Sequence, residues 1–290
     1  MGPRALPPGL VIDPSLPSDV ISELRATPHL LRMARMGRRI ERTYSPTLPL
    51  AVLGFMVVLW FATGGPGPMV ISIVVALFMA GRWASVDAAN RSARRRLKLA
   101  YDHAAHYVLP EDLDHPCQML LRRAQDAVEV ILSSRVNRAG FIDTINNQVT
   151  LPEEVWQIAQ RLVNLSRMHA EHSHLVPHDV PSGMEEAFKP YTSALDAAWT
   201  SLSKRVRQLE RYAKQVQQAD RVFHAHQRLE ALIARTPEYQ ALIADTLRDD
   251  LARRHIKELA DQAAGARKLF EESIARARQT AGELLRSPLS

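Results

Sequence analysis

TLPLAVLGFMVVLWFATGG occupies residues 47–65, and PGPMVISIVVALFMAGRWAS follows it over 66–85. Neither run contains an acidic residue, and only Gly64-Gly65-Pro66-Gly67-Pro68 interrupts them. Spanning a bilayer core takes about 20 apolar residues of helix, fewer where flanking side chains reach back to the headgroups. The first run is long enough. The second extends through Trp83, Ala84 and Val86 while Arg82 snorkels. The stretch 47–86 therefore reads as a transmembrane helical hairpin, and the rest of the chain is expected to be organised around it. It starts too far along the chain, and is followed too closely by a second run, to read as a secretory signal peptide.

The charge pattern sets an orientation for that hairpin. The formal net charge is +6, which invites nucleic acid, but the arginines gather beside the apolar runs. Arg35, Arg38, Arg39 and Arg42 precede them; Arg82, Arg94, Arg95 and Arg96 follow. Both flanks are basic and the connecting turn is uncharged, so the positive-inside rule predicts two spans with both termini cytoplasmic. The flanking arginines are then expected at the membrane surface, where each charge near anionic headgroups is worth roughly 1 kcal/mol. Lipid accounts for them more economically than DNA or RNA, and nucleic acid is an unlikely partner. Arginine far outnumbers lysine, a bias of high-GC bacterial coding, so a bacterial inner (plasma) membrane is expected. The single cysteine, Cys117, precludes an internal disulfide and fits a reducing compartment.

Outside the hairpin the composition favours helix, and the fold class is expected to be all-α. Of twelve glycines, Gly54, Gly64, Gly65, Gly67 and Gly81 fall within the hairpin, leaving few elsewhere for turns. Residues 1–17, with Pro3, Pro7, Pro8, Pro14 and Pro17, read as a disordered N-terminus. Residues 18–46 read as basic amphipathic cytoplasmic helices: Ser18 caps one over Asp19–Ala26, and Pro28 opens a second running to about Tyr44. Residues 87–183 read as a juxtamembrane and proximal helical bundle. It comprises a helix continuing to Val108, another from Pro116 to about Val136, a connector over 137–148 turning at Gly140, and a helix opened by the capping box Thr150-Leu151-Pro152-Glu153. Residues 184–290 read as a distal, coiled-coil-like antiparallel hairpin of two long helices, Tyr191 to about Arg235 and Thr236 to Ser287. In the first of these, Leu195, Trp199, Leu202, Val206, Leu209, Ala213 and Val216 recur at alternating steps of four and three. That is a heptad seam, with Arg205, Arg207, Glu210 and Arg211 outside it. Such a seam serves a partner, a second copy of the chain, or the hairpin itself.

Candidate chemistry is sparse. His169, Glu171, His172, His174 and His178 form the densest set of metal-ligand types, and residues at i and i+3 share a helix face. Their spacing matches no metal motif with a known mechanism, and HAEHSHLVPH reads equally as a helix fraying into a polar loop. No Gly-rich phosphate loop, nucleophile elbow or paired cysteine occurs, so neither catalysis nor a cofactor is expected. The reading that follows is a membrane-anchored helical scaffold or recruitment protein, presenting its cytoplasmic helices to a protein partner or to itself. Two alternatives are an oligomerising membrane effector or pore former, and a metal-dependent enzyme using the His169–His178 cluster.

Overall fold

A computed structural model describes residues 7–37, 91–176, 185–235, 237–239, 241 and 249–286. The expected hairpin at 47–86, the arginines Arg38, Arg39, Arg42 and Arg82, and His178 lie outside these residues. Among the described residues no helix is long and apolar enough to cross a membrane.

Among the described residues the fold is all-α apart from two paired two-residue strands, β1 (Val11–Ile12) and β2 (Tyr107–Val108). The helices, in chain order, are α1 (Ser18–Ala26), α2 (Pro28–Arg35), α3 (91–102), α4 (His115–Ser133), α5 (Arg135–Arg138), α6 (Thr144–Leu175), α7 (Glu185–Ala234) and α8 (Asp249–Arg286). Two compact units divide the chain: Ser15–Tyr107 form one, and Met1–Pro14 with Val108–Ser290 form the other.

In the smaller unit the expected start of α2 at Pro28 is observed, but the helix ends at Arg35 rather than near Tyr44. Gly37 explains the stop: at φ +66° it takes the left-handed conformation that terminates helices, and its N–H bonds the Ala34 carbonyl at 3.1 Å. Leu24, Leu30, Leu31, Ala34, Leu97, Ala100 and Tyr107 supply the buried apolar surface. Arg35 donates to the Tyr107 carbonyl at 3.2 Å and lies over its ring, 5.3 Å from the centroid. Arg96 pairs with Glu23 at 3.3 Å. The continuous helix expected to Val108 gives way after residue 102 to a 3₁₀ turn, Ala104–His106, and then to β2.

The larger unit is a bundle of α4, α6, α7 and α8. Asp114 caps α4, its carboxylate accepting from the Cys117 N–H at 2.9 Å, with Pro116 inside the first turn. Ser134 then breaks the chain and caps the single turn of α5. Gly140 closes α5 as expected: at φ +76° it lets its own N–H reach Asn137 and the Phe141 N–H reach Val136, the paired bonds of a Schellman motif.

The capping box expected at Thr150 is absent. Asp143 is the cap instead, accepting from the Asn146 N–H at 3.1 Å, and α6 runs straight through Pro152. Proline normally breaks a helix because it lacks an N–H and crowds the preceding turn. Here the turn before it is held by burial. Asn147 and Leu151 face the core, and the Thr150 hydroxyl bonds back to the Asn146 carbonyl at 2.7 Å.

One continuous core joins Leu120, Leu121, Ala124, Val128 and Ile131 of α4 with Leu151, Val155, Ile158 and Leu162 of α6. It continues into Val206, Leu209, Tyr212 and Val216 of α7 and Ile274 and Ala277 of α8. It therefore takes residues from both sides of the boundary expected at 183. Arg123 and Glu210 add a bidentate pair, 2.8 and 2.7 Å, between α4 and α7. At the α5 end Phe141, Phe223 and Phe270 meet with ring centroids 5.1–5.6 Å apart, and His226 stacks on Phe270 at 5.2 Å.

Candidate functional site

The structure gives each expected site residue a place, beginning with the heptad seam. Leu195, Leu202, Val206, Leu209 and Val216 are buried, and Trp199 packs against the same core. The periodicity was correctly read as an apolar stripe. What it meets is α4, α6 and α8 of its own chain, because four helices of this length have enough apolar surface to enclose one another.

Arg205, expected outside the seam, is a correction. It is 6% exposed and donates through Nε and Nη2 to the Glu154 carboxylate, the latter bond at 2.8 Å. Its Nη1 reaches the Leu284 carbonyl at 2.8 Å. One guanidinium thus ties α6, α7 and the last turns of α8. A second polar tie lies one heptad on: Asn147, itself buried, donates to the Tyr212 hydroxyl at 3.0 Å and to Asn137 Oδ1 at 3.1 Å. These contacts pair 154 with 205 and 147 with 212, which makes α6 and α7 antiparallel.

The histidine cluster is divided. His169 Nδ1 lies 3.2 Å from Asp114 Oδ2, Glu171 pairs with Arg167 at 3.4 Å, and His174 is exposed. Among the described residues, no group of three or more His, Cys, Asp or Glu is arranged to hold a metal. The physical reason is that His169 is engaged in the Asp114 cap. That cap also holds the Asp114 N–H on the Ser166 hydroxyl at 3.1 Å. Burial pushes the Asp114 carboxyl up, but hydrogen bonds from Cys117 and His169 outweigh it and hold the group below its usual range. Cys117, fully buried, has its thiol pushed up to about 12, by burial first and then by the Asp114 carboxylate, with Ser166 opposing. A thiol held protonated in this way is packed rather than nucleophilic.

Of the arginines expected at a membrane surface, Arg95 and Arg96 are exposed on α3 and Arg94 is half-buried.

A cleft of about 860 Å³ lies between the C-terminal half of α6 and the N-terminal half of α7. Leu165, Leu195 and Leu202 form its buried floor, and Met168, Leu175 and Tyr191 stand at its rim, 51%, 74% and 66% exposed. Arg161, Asn164 and Ser201 also line it. Sequence reading missed this site, although a signal was present: Arg161, Leu165, Met168, His172 and Leu175 keep the same four-three step as the seam. That stretch looked like a fraying helix because histidines interrupt it.

Comparison with protein families, with curated proteins and with solved structures returns no match for this chain.

Proposed function

We propose that this chain is a membrane-anchored recruitment protein. Residues 47–86 hold it in the bilayer, and its long helices α7 and α8 carry a surface for a protein partner. The apolar runs and their basic flanks support the anchor, with both termini on the cytoplasmic side of a bacterial inner membrane.

The observation that carries recruitment is the outer end of α7. Fifty residues of helix extend about 75 Å, yet the buried stripe runs only from Leu195 to Ala219, with Val222 and Phe223 still packed on the core. Beyond them Leu232 and Ile233 are 51% and 45% exposed; on α8, Leu269 is 58% exposed. Apolar side chains of this size left outside a core suit an interface.

The test is crosslinking in intact cells followed by purification of the full chain, comparing the parent with Leu232→Arg/Ile233→Arg. A discrete partner captured by the parent and lost in the variant supports recruitment. Capture unaffected by the variant refutes this surface, and a ladder of the chain itself favours the oligomerising effector. A reporter fused after Ser290 that is exported would refute the orientation, as would one at Gly65 that stays inside.

A further inference from the structure

Residues 1–17 carry the prolines expected of a disordered N-terminus, yet 7–17 are among the described residues, and 8–13 lie along the larger unit as a strap. Pro8, Val11 and Asp13 are buried, and Val11 belongs to the larger unit's core. β1 lies against α6. From α4, Gln125 engages the strap's backbone in both directions. The Gly9 N–H donates to Gln125 Oε1 at 2.8 Å, and Gln125 Nε2 donates to the Gly9 carbonyl at 2.9 Å. A Cβ at Gly9 would meet that carboxamide at 3.6 and 3.8 Å, ordinary van der Waals contact. Position 9 is therefore recognised through its backbone, which any residue other than proline offers.

Proteins bind extended peptides in this manner: main-chain hydrogen bonds give hold, and places for particular side chains give choice. Here the choosing positions are Pro8 and Val11. Residues three apart share a face of polyproline II backbone, which needs no internal hydrogen bonds. The strap is also separable. It has no helix of its own, so it is ordered along its whole length for the burial of a few side chains, and such segments open more readily than core helices. The smaller unit's buried Leu24, Leu30 and Leu31 lie outside the core that Val11 joins, so that unit keeps its own packing when the strap leaves. We propose that the surface of α4 and α6 is an extended-peptide site, occupied here by residues 8–13 as an internal ligand. Its external ligand is a partner's extended segment with two apolar anchors three positions apart, which must displace the strap to bind. The site is distinct from the outer end of α7 and does not depend on it.

The test supplies the strap in trans. The full chain in phosphatidylcholine nanodiscs would carry Val11→Asp, which puts a charge where the core is dry and so frees the strap. A fluorescein-labelled peptide with the sequence of residues 7–17 is titrated against it by fluorescence anisotropy. It should bind the released chain at least about tenfold more tightly than the parent, where the tethered strap competes. The peptide carrying Gly9→Ala should bind as well, and one carrying Val11→Asp should not bind. Gln125→Leu in the released chain should weaken the peptide about tenfold, the loss of two hydrogen bonds. If Val11→Asp abolishes the helical circular dichroism, the parent decides: excess Gly9→Ala peptide should speed hydrogen exchange at residues 9–12 of the chain. No saturable binding to a folded released chain, equal binding by the parent, equal binding of the Val11→Asp peptide, indifference to Gln125→Leu, or strap exchange unmoved by peptide would each overturn the proposal. A parent that is dimeric only with an intact strap would overturn it too, by giving the site to a second copy's strap.

Discussion

Removing the Arg205 side chain should be among the most damaging single changes to the larger unit. The guanidinium is 7% exposed and its partner carboxylate, Glu154, 15%. Its bonds include two to that carboxylate, one to the Leu284 carbonyl and a longer one, 3.4 Å, to Gln208 Oε1. In Arg205→Ala the Glu154 charge stays in a mostly dry site without its partner. Breaking a buried pair from one side costs about 3–5 kcal/mol, and the 15% exposure of Glu154 lets some water return, so we take the lower end, about 3 kcal/mol. For a unit of this size that shifts Tm by roughly 6–12 °C. Replacing both partners, Arg205→Met with Glu154→Leu, removes the stranded charge and should recover most of the loss, leaving about 1 kcal/mol from the freed carbonyl.

The cycle is read by thermal and chemical unfolding of the full chain, followed by circular dichroism. Hydrogen exchange adds a local signature: amides in the last turns of α8 should exchange faster in Arg205→Ala, because the tie at Leu284 is gone. A loss below about 1 kcal/mol in the single variant, or a double variant no more stable than the single one, would show that the pair is screened as a surface ion pair is. The reasoning from burial would then be wrong.

Other expectations follow from the same core. Asn147→Leu should cost about 2–3 kcal/mol, since it strands the buried Tyr212 hydroxyl; adding Tyr212→Phe should restore part of it, and an additive double variant would refute the pairing. The folded Asp114 carboxyl lies below its unfolded value, so the stability it contributes is fully present above about pH 4 and is lost as pH falls through the folded value. Asp114→Asn should flatten that acid limb of the unfolding curve; an unchanged limb would show that other carboxylates set it. Cys117, buried and with its thiol pushed up to about 12, should resist iodoacetamide at pH 8 until the chain unfolds. Rapid alkylation of the native chain would contradict the packing.

The helical class and most helix positions were legible because they rest on local chemistry. Pro28 at a first turn, Gly140 at a positive-φ turn, and the four-three step from Leu195 to Val216 each state a geometric requirement within a few residues. The misreadings arose where a distant contact overrode a local one. Thr150-Leu151-Pro152-Glu153 satisfies the capping rule, but a core face that begins at Asn147 keeps the helix going, and Asn147 is buried with its bonds to Tyr212, 65 residues later, and to Asn137. His169 carries no mark in the sequence that it completes the cap of a helix starting at His115.

Arg205 shows the same limit most sharply, and it bears on where function can lie. A periodic pattern sorts residues by face, and on that basis an arginine beside a leucine seam belongs in water. Its burial depends on Glu154, 51 residues earlier, and on a carbonyl 79 residues later. Once those partners close the bundle, most of the seam is enclosed, with only Leu195 and Leu202 reaching the floor of the α6–α7 cleft, so the pattern that looked most like an interface mainly builds the core. Among the described residues, large apolar side chains stand outside the core at Met168, Leu175 and Tyr191 beside the cleft and at Leu232 and Ile233 beyond the aromatic cluster. Both can be found only by subtracting the core from the pattern, which requires knowing what the core contains.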